Sequence, residues 1–369
     1  MALAHDRPLI LGIETSCDDT ACAVVDGAGR VLASVVSSQI AVHQPYGGVV
    51  PELAAREQLV AWPLVSEEAL TRAGIGWAEL DAVAATRAPG LVGSLLVGLS
   101  IGSALAWSRG LPFLAVHHLE GHLYSPYLRA GRPADAPAEG GDRAGPADPV
   151  PERFVGLVVS GGHTSLYRVD GGAIETLAET RDDALGETFD KLGKRLGLPY
   201  PQGPRVDELA ELGRAEAAPM PRLAGTDALF FSYSGLKTAA LQAIEKLEAR
   251  AVATTPGDGE PPFPQPVLDL LAGFRDSAVR QVFDRLTRLH RRAPFDELAV
   301  SGGAAANRLL RRKLPEWAAE RGVVLRLVPL VFSGDNAAMI AFAALRRLQR
   351  GESDDPLAVE VASRQRLAT

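Results

Sequence analysis

Residues 9–36, LILGIETSCDDTACAVVDGAGRVLASVV, decide the fold. Leu9 to Ile13 reads as an apolar strand and Glu14 to Thr20 as a polar turn. Ala21 to Val25 is a second strand, Asp26-Gly27-Ala28-Gly29 a tight turn, and Arg30 to Val36 a third strand. The same layout returns later. Phe154 to Val159 is a strand, Ser160-Gly161-Gly162-His163-Thr164 a turn, and Ser165 to Val169 a strand. Asp170-Gly171-Gly172 is a turn, and Ala173 to Leu177 a third strand. A unit of strand, polar turn, strand, Asp-Gly turn and strand that occurs twice implies a duplicated α/β domain. Such a duplication is expected to leave a ligand cleft between its halves.

The bulk numbers agree with an ordinary two-domain globular chain. It has 369 residues, 47% apolar and 22% charged. The net charge of −7 argues against a surface that grips nucleic acid all over, and leaves room for a local basic patch. The two cysteines, Cys17 and Cys22, lie in one segment, which points to a reduced compartment rather than a disulfide framework. Met1 to Pro8 is too short and polar for a signal peptide. Leu91 to Trp107 is uncharged, but it is studded with Gly and Ser and falls short of the roughly 20 apolar residues of a membrane span. It reads as a buried, tightly packed helix.

Between and after the repeats, Pro51 to Ala73 has helical spacing, and Leu111 to Val116 is a strand. Phe274 to His290 is an amphipathic helix, and Phe295 to Val300 a strand. A helix from Ala304 to Leu314, a strand from Val323 to Pro329 and a helix from Ala337 to Leu348 follow. Residues 131–151 and 254–266 are rich in Pro, Ala, Gly and Asp or Glu, and read as a disordered insertion and a loop.

Chemistry concentrates at strand ends. His118-Leu119-Glu120-Gly121-His122 follows the strand at Phe113, so its histidines lie four apart on one helical face and can share a first-row metal ion. A zincin needs a glutamate directly after the first histidine, and Leu119 stands there. Asp335 opens a helix, either as its N-cap or as a third, carboxylate ligand. Ser160-Gly161-Gly162 lets backbone N–H groups approach an anion. Ser301-Gly302-Gly303 opens a helix onto a nucleoside, with Asn307 one turn in. Asp190 and Asp207 are acceptors for sugar hydroxyls or members of surface ion pairs. Arginine clusters at Arg285, Arg288, Arg291 and Arg292 and at Arg308, Arg311, Arg312 and Lys313 are solvated helix faces unless RNA enters the argument.

Eight motifs in order resemble one family, the bacterial tRNA adenosine threonylcarbamoyltransferases, once described as O-sialoglycoprotein endopeptidases. They are GIETSCDDTACAVV from Gly12, HHLEGH from His117, VSGGHT from Val159, GETFDK from Gly186 and GPRVD from Gly203, then FSYSGLKTA from Phe231, SGGAAANRLLR from Ser301 and SGDNAAMIA from Ser333. The resemblance implies a duplicated actin/hexokinase-like fold, related to ribonuclease H. Its lobes are expected at residues 1–112 with 330–369, and at 113–329. It implies transfer of a threonylcarbamoyl group from threonylcarbamoyl-AMP to N6 of the adenosine 3′ of the anticodon, in tRNAs reading codons that begin with A. One divalent metal, Fe2+ or Zn2+, is implied at His118, His122 and Asp335. Substrate is implied at Val158, Val159, Ser160, Gly161, Gly162, Asp190, Gly203, Asp207 and Asn307. The implied partners are tRNA, a smaller inactive paralogue, a P-loop ATPase and an upstream threonylcarbamoyl-AMP synthase, in the cytoplasm and without a membrane. Archaeal and eukaryotic relatives carry a metal-reaching tyrosine where this chain has Val158, so three protein ligands and an open coordination position are expected here.

Three rival functions remain on sequence grounds. A small-molecule kinase of the same fold has no use for paired histidines. A metalloprotease lacks its glutamate. A non-catalytic paralogue would have lost its metal ligands, and all three are present.

Overall fold

The computed structural model describes residues 8–130, 149–223, 228–248 and 263–367. The expected insertion at 131–151 and loop at 254–266 therefore fall largely outside the described residues. The strands are β1 Ile10–Glu14, β2 Asp19–Val25, β3 Arg30–Ser38, β4 Ala82–Ala88, β5 Phe113–His117 and β6 Arg129–Ala130, then β7 Arg153–Val159, β8 Thr164–Asp170, β9 Ala173–Glu179, β10 Glu297–Ser301 and β11 Val324–Leu327. The helices are α1 Ile40–His43, α2 Pro51–Ala73, α3 Val92–Arg109, α4 His118–Tyr124 and α5 Leu185–Arg195, then α6 Gly203–Leu209, α7 Ser234–Glu248, α8 Gln265–Arg292, α9 Arg308–Ala319 and α10 Ala337–Gln349.

The duplication is plain in the strand order. One sheet runs β5-β4-β1-β2-β3-β6 and the other β11-β10-β7-β8-β9. Each carries a three-strand meander whose first strand is flanked by a later parallel strand: β4 beside β1, and β10 beside β7. This is the actin/hexokinase-like α/β architecture. By its internal contacts the chain divides into unit 1 (Met1–Glu152, Asp170–Ile174, Arg326–Thr369) and unit 2 (Arg153–Val169, Glu175–Leu325). The histidine helix accordingly belongs to unit 1, not to a lobe beginning at residue 113. The reason is that β5, which leads into it, pairs in parallel with β4 from Val83↔Phe113 onward.

Strands β1, β4 and β5 are apolar at nearly every position because they are covered on both faces. Helix α3 seats itself on that sheet through small residues. A Cβ on Gly98 would come within 2.3 Å of Thr15 Oγ1, and one on Gly102 within 3.0 Å of Ala85. The helix is not buried all round, as its lack of charge suggested. Leu96 is 48% and Trp107 64% exposed, because only the face carrying Ser94, Leu95, Gly98, Leu99, Gly102 and Ala106 meets the core. By length and composition α3 is the one helix among the described residues apolar enough to cross a membrane.

Further corrections concern helix ends. Helix α8 starts at Gln265 rather than near Phe274; its first turns, Val267 to Leu271, are buried on nearly every side, which hides the helical period. The helix expected from Ala304 is two pieces. A 3-10 turn spans Gly303–Ala306, and α9 begins after Asn307.

Candidate active site

In unit 1 three side chains converge. The His117 side chain caps α4 by accepting from Leu119 N at 3.2 Å, which fixes the start of the histidine helix. His118 and His122 then lie one turn apart on its buried face, ring centroids 4.7 Å apart and nearly perpendicular. Asp335 comes from the loop before α10. It is not that helix's cap: Asn336 is, its Oδ1 accepting from Met339 N at 3.0 Å. Asp335 is thereby left to face the histidines, with Oδ1 3.4 Å from His118 Nε2 and 3.2 Å from His122 Nε2. One ligand atom from each of the three residues lies within 4.8 Å of the others.

The electrostatics of this cluster fit a cation. Burial opposes charge on His118, yet the Asp335 and Glu14 carboxylates hold its imidazole well above the usual range. Burial disfavours the Asp335 carboxylate, but His118 and then His122 hold it well below the usual range. His122 is buried without a hydrogen-bond partner on either ring nitrogen; Asp335 is near in distance but not in hydrogen-bond geometry. Two imidazoles and a carboxylate, with buried ring nitrogens left unbonded, are the donor set of a first-row metal. Glu120 points away from them, toward Arg347 and Arg350, and burial raises its carboxyl to about 7.

In unit 2 two of the predicted turns stand at the ends of neighbouring parallel strands. β7 and β10 pair from Leu298↔Val155 to Ser301↔Val158. The turns Ser160-Gly161-Gly162 and Gly302-Gly303 therefore leave the sheet side by side, at the carboxyl ends where open α/β sheets bind ligands. Val158 and Val159 are fully buried. Ser160 closes its turn by donating N–H to His163 O at 2.8 Å and accepting His163 N–H on Oγ at 3.1 Å. Gly302 must be glycine, with φ of +93° and Val159 O only 2.3 Å from where a Cβ would stand. Gly161, Gly162 and Gly303 are different. None has a positive φ, and a Cβ on any of them would meet nothing within 4 Å. Neither backbone conformation nor packing asks for glycine there. What the missing side chains preserve is open space over bare backbone.

The polar residues predicted around these turns are tied into unit 2. Asn307 is the cap of α9 rather than a residue one turn inside it. Its Oδ1 accepts from Leu310 N at 2.9 Å, and its Nδ2 donates to Asp207 at 2.7 Å. Asp207 also accepts from Arg308 N at 2.9 Å and from Arg275 Nη1 at 3.2 Å. Asp190 accepts Gly203 N at 2.7 Å, pinning α6 to α5, and burial raises its carboxyl. Two structural partners were not picked out from sequence. Arg275, buried on α8, holds Asp207 and pairs with Glu211. Glu14, buried at the end of β1, faces His118. Both act across sequence separations of more than sixty residues, where no local pattern reports them.

The family model for tRNA N6-adenosine threonylcarbamoyltransferases matches residues 30–342. A tRNA N6-adenosine threonylcarbamoyltransferase from Sorangium cellulosum is 46% identical over 94% of this chain and 93% of its own length. One from Pelobacter propionicus is 44% identical, covering 94% of each chain. Among solved structures, HypF from T. kodakarensis superposes with a TM-score of 0.57 at 13% identity, over 97% of this chain and 50% of that one. That likeness concerns the fold alone. Sequence match, paired sheets and the His-His-Asp cluster lead to one conclusion: the chain belongs to the tRNA N6-adenosine threonylcarbamoyltransferases, acyltransferases that modify tRNA.

Proposed function

We propose that the donor is threonylcarbamoyl-AMP, that its acyl group goes to N6 of the adenosine 3′ of the anticodon, and that His118, His122 and Asp335 hold one Fe2+ or Zn2+ in the reaction. The observation that carries the metal is the approach of both Nε2 atoms to Asp335 Oδ1, 3.4 and 3.2 Å, with His122 otherwise unbonded. Three protein donors would hold the ion, which supports water or the donor as a further ligand. Bound there, the ion would orient the donor and polarise the carbonyl oxygen.

The adenylate is held by unit 2. The bare backbone at Gly161, Gly162 and Gly303 supports phosphate and nucleoside contact. Asn307 and Asp207 brace the segment that follows Gly303, and Asp190 pins α6 to α5 at Gly203. The chemistry is an acyl transfer. The adenine amine attacks the carbamoyl carbon, the C–O bond to phosphate breaks, AMP leaves with its electron pair, and the amine loses a proton. A mixed anhydride is activated already, so no nucleophilic serine or cysteine is required. Cys17 and Cys22 suit none, since burial pushes both thiols up.

The exposed Leu59, Val60, Leu64 and Leu96 on α2 and α3 offer an apolar face that supports docking of the smaller paralogue there. Family membership supports a P-loop ATPase, an upstream synthase and a cytoplasmic setting as parts of the same reading. The test is to incubate the chain and these partners with threonine, bicarbonate, ATP and unmodified tRNA, then analyse nucleosides by mass spectrometry. Threonylcarbamoyladenosine that depends on this chain is expected; its absence with every component active overturns the reading.

A further inference from the structure

We propose that Glu14 is a positioning residue of the metal centre: it fixes the ring and tautomer of His118 so that Nε2 is the ligand atom. The proposal rests on the metal reading of His118, His122 and Asp335. Glu14 is 1% exposed, at the end of a strand paired on both sides by β2 and β4. Its Oε2 lies 3.0 Å from His118 Nδ1 and accepts the Thr86 hydroxyl at 2.6 Å. Its Oε1 accepts Ser16 N–H at 2.5 Å. Ser16 Oγ adds a weaker contact to the same Nδ1 at 3.3 Å.

An ionised carboxylate only accepts hydrogen bonds. In the neutral imidazole that a metal binds, the nitrogen facing the carboxylate is then the donor, which puts the lone pair on Nε2, the atom that faces Asp335. The two histidines are thus unlike. His118 is aimed by a carboxylate carried on the central strand, whereas His122 Nδ1 is buried with no partner at all. Burying a carboxylate is costly unless it is well bonded. Among the described residues no Lys or Arg is hydrogen-bonded to this one; its bonds come from Thr86, Ser16 and His118. A group kept on those terms, touching a ligand's second nitrogen, is what orienting a ligand requires. Thr86 and Ser16 in turn hold the carboxylate in its rotamer.

The test uses the full chain with Zn2+ alone as the probe, titrated against a chelator of known affinity. Long-range 1H–15N imidazole spectra of the zinc-loaded protein give a second readout that does not depend on activity. In the wild type one zinc per chain is expected, with His118 protonated on Nδ1. Glu14→Gln should bind zinc about 10- to 100-fold more weakly and should shift or lose the Nδ1–H signal of His118. Thr86→Val, which removes only one bond to Glu14, should show a smaller loss of the same sign. A folded Glu14→Gln variant with zinc affinity within about twofold of wild type and an unchanged His118 signal overturns the proposal. If that variant does not fold, Thr86→Val decides, and unchanged zinc affinity there overturns it. If instead the wild type binds no zinc, or His122→Ala binds it equally well, the metal reading itself falls, which the wild-type and His122 arms report separately.

Discussion

In the His-His-Asp centre of unit 1 the ligand atoms are aimed but left largely unbonded, whereas around Asn307 in unit 2 nearly every polar side-chain atom is already used. His122 offers two bare ring nitrogens. Asn307 spends its oxygen on Leu310 and its amide on Asp207. The difference teaches how to look for each kind of site. A metal is held by side chains, so those must stay free of other partners. A nucleotide phosphate is held largely by backbone, so the side chains become struts and the contact surface is marked by glycines that packing does not explain.

The largest expected effect separates the two sites. His118→Ala, His122→Ala or Asp335→Ala should abolish transfer and metal retention while the thermal melting curve stays cooperative. Adenosine, which carries neither phosphate nor carbonyl for a metal to hold, should bind the variants as it binds wild type by calorimetry. Wild-type turnover in a purified variant that metal analysis shows to be empty would remove the metal from the mechanism.

Arg275→Met attacks the struts. The guanidinium lies 3.2 Å from Asp207 with both side chains buried, and it also bonds the Asp207 and Ala210 carbonyls. Breaking one side of a buried pair costs about 3–5 kcal/mol, so unit 2 should lose stability and donor affinity together. A denaturation midpoint close to wild type would show that Asp207 is braced by Asn307 and Arg308 alone.

A pair of glycine substitutions is sharper though smaller. Gly302→Ala meets Val159 O and a positive φ, and strain of about 1–3 kcal/mol is expected in chemical denaturation. Gly162→Ala meets nothing within 4 Å, so stability should move by no more than about 0.5 kcal/mol. Its donor affinity should nonetheless fall about tenfold, or ~1.4 kcal/mol. If Gly162→Ala binds an adenylate analogue as tightly as wild type, the open backbone is not the contact surface.

How much of this was legible follows from range. The meanders were readable because strands, turns and Asp-Gly corners are local signals; β1, β2 and β3 end within two residues of their expected bounds, and α2 spans the expected residues. The metal triad was readable because two of its members share seven residues of helix. Glu14 is 104 residues from His118, and Arg275 is 68 from Asp207. Such partners meet only once the fold exists. The burial of α3 was overread because an uncharged sequence does not say which face meets the core. Strand β4 went unnamed although it anchors β1, since Ala82 to Ala88 is alanine-rich and carries little β preference.

The smallest expected effect concerns tRNA. With net charge −7 the chain needs a local basic surface, or a partner's, to hold a polyanion. Arg308, Arg311, Arg312 and Lys313, which lie on α9, were one candidate cluster in sequence. Arg312 is instead clamped by Glu211 through both terminal nitrogens, Lys313 lies 3.5 Å from Asp276, and Arg311 donates Nε to Ala305 O. A cation already paired releases fewer counterions on meeting a phosphate, because it must first give up its carboxylate. The double variant Arg311→Ala, Arg312→Ala should therefore lower tRNA affinity by no more than about threefold and leave the slope of log affinity against log salt nearly unchanged. The complete assembly should still show a steep slope, carried by other cations. A slope reduced by about two in the double variant would mean that both arginines leave their partners for phosphate. Glu211 would then be a gate on RNA binding rather than a brace, and Glu211→Gln should raise tRNA affinity at low salt.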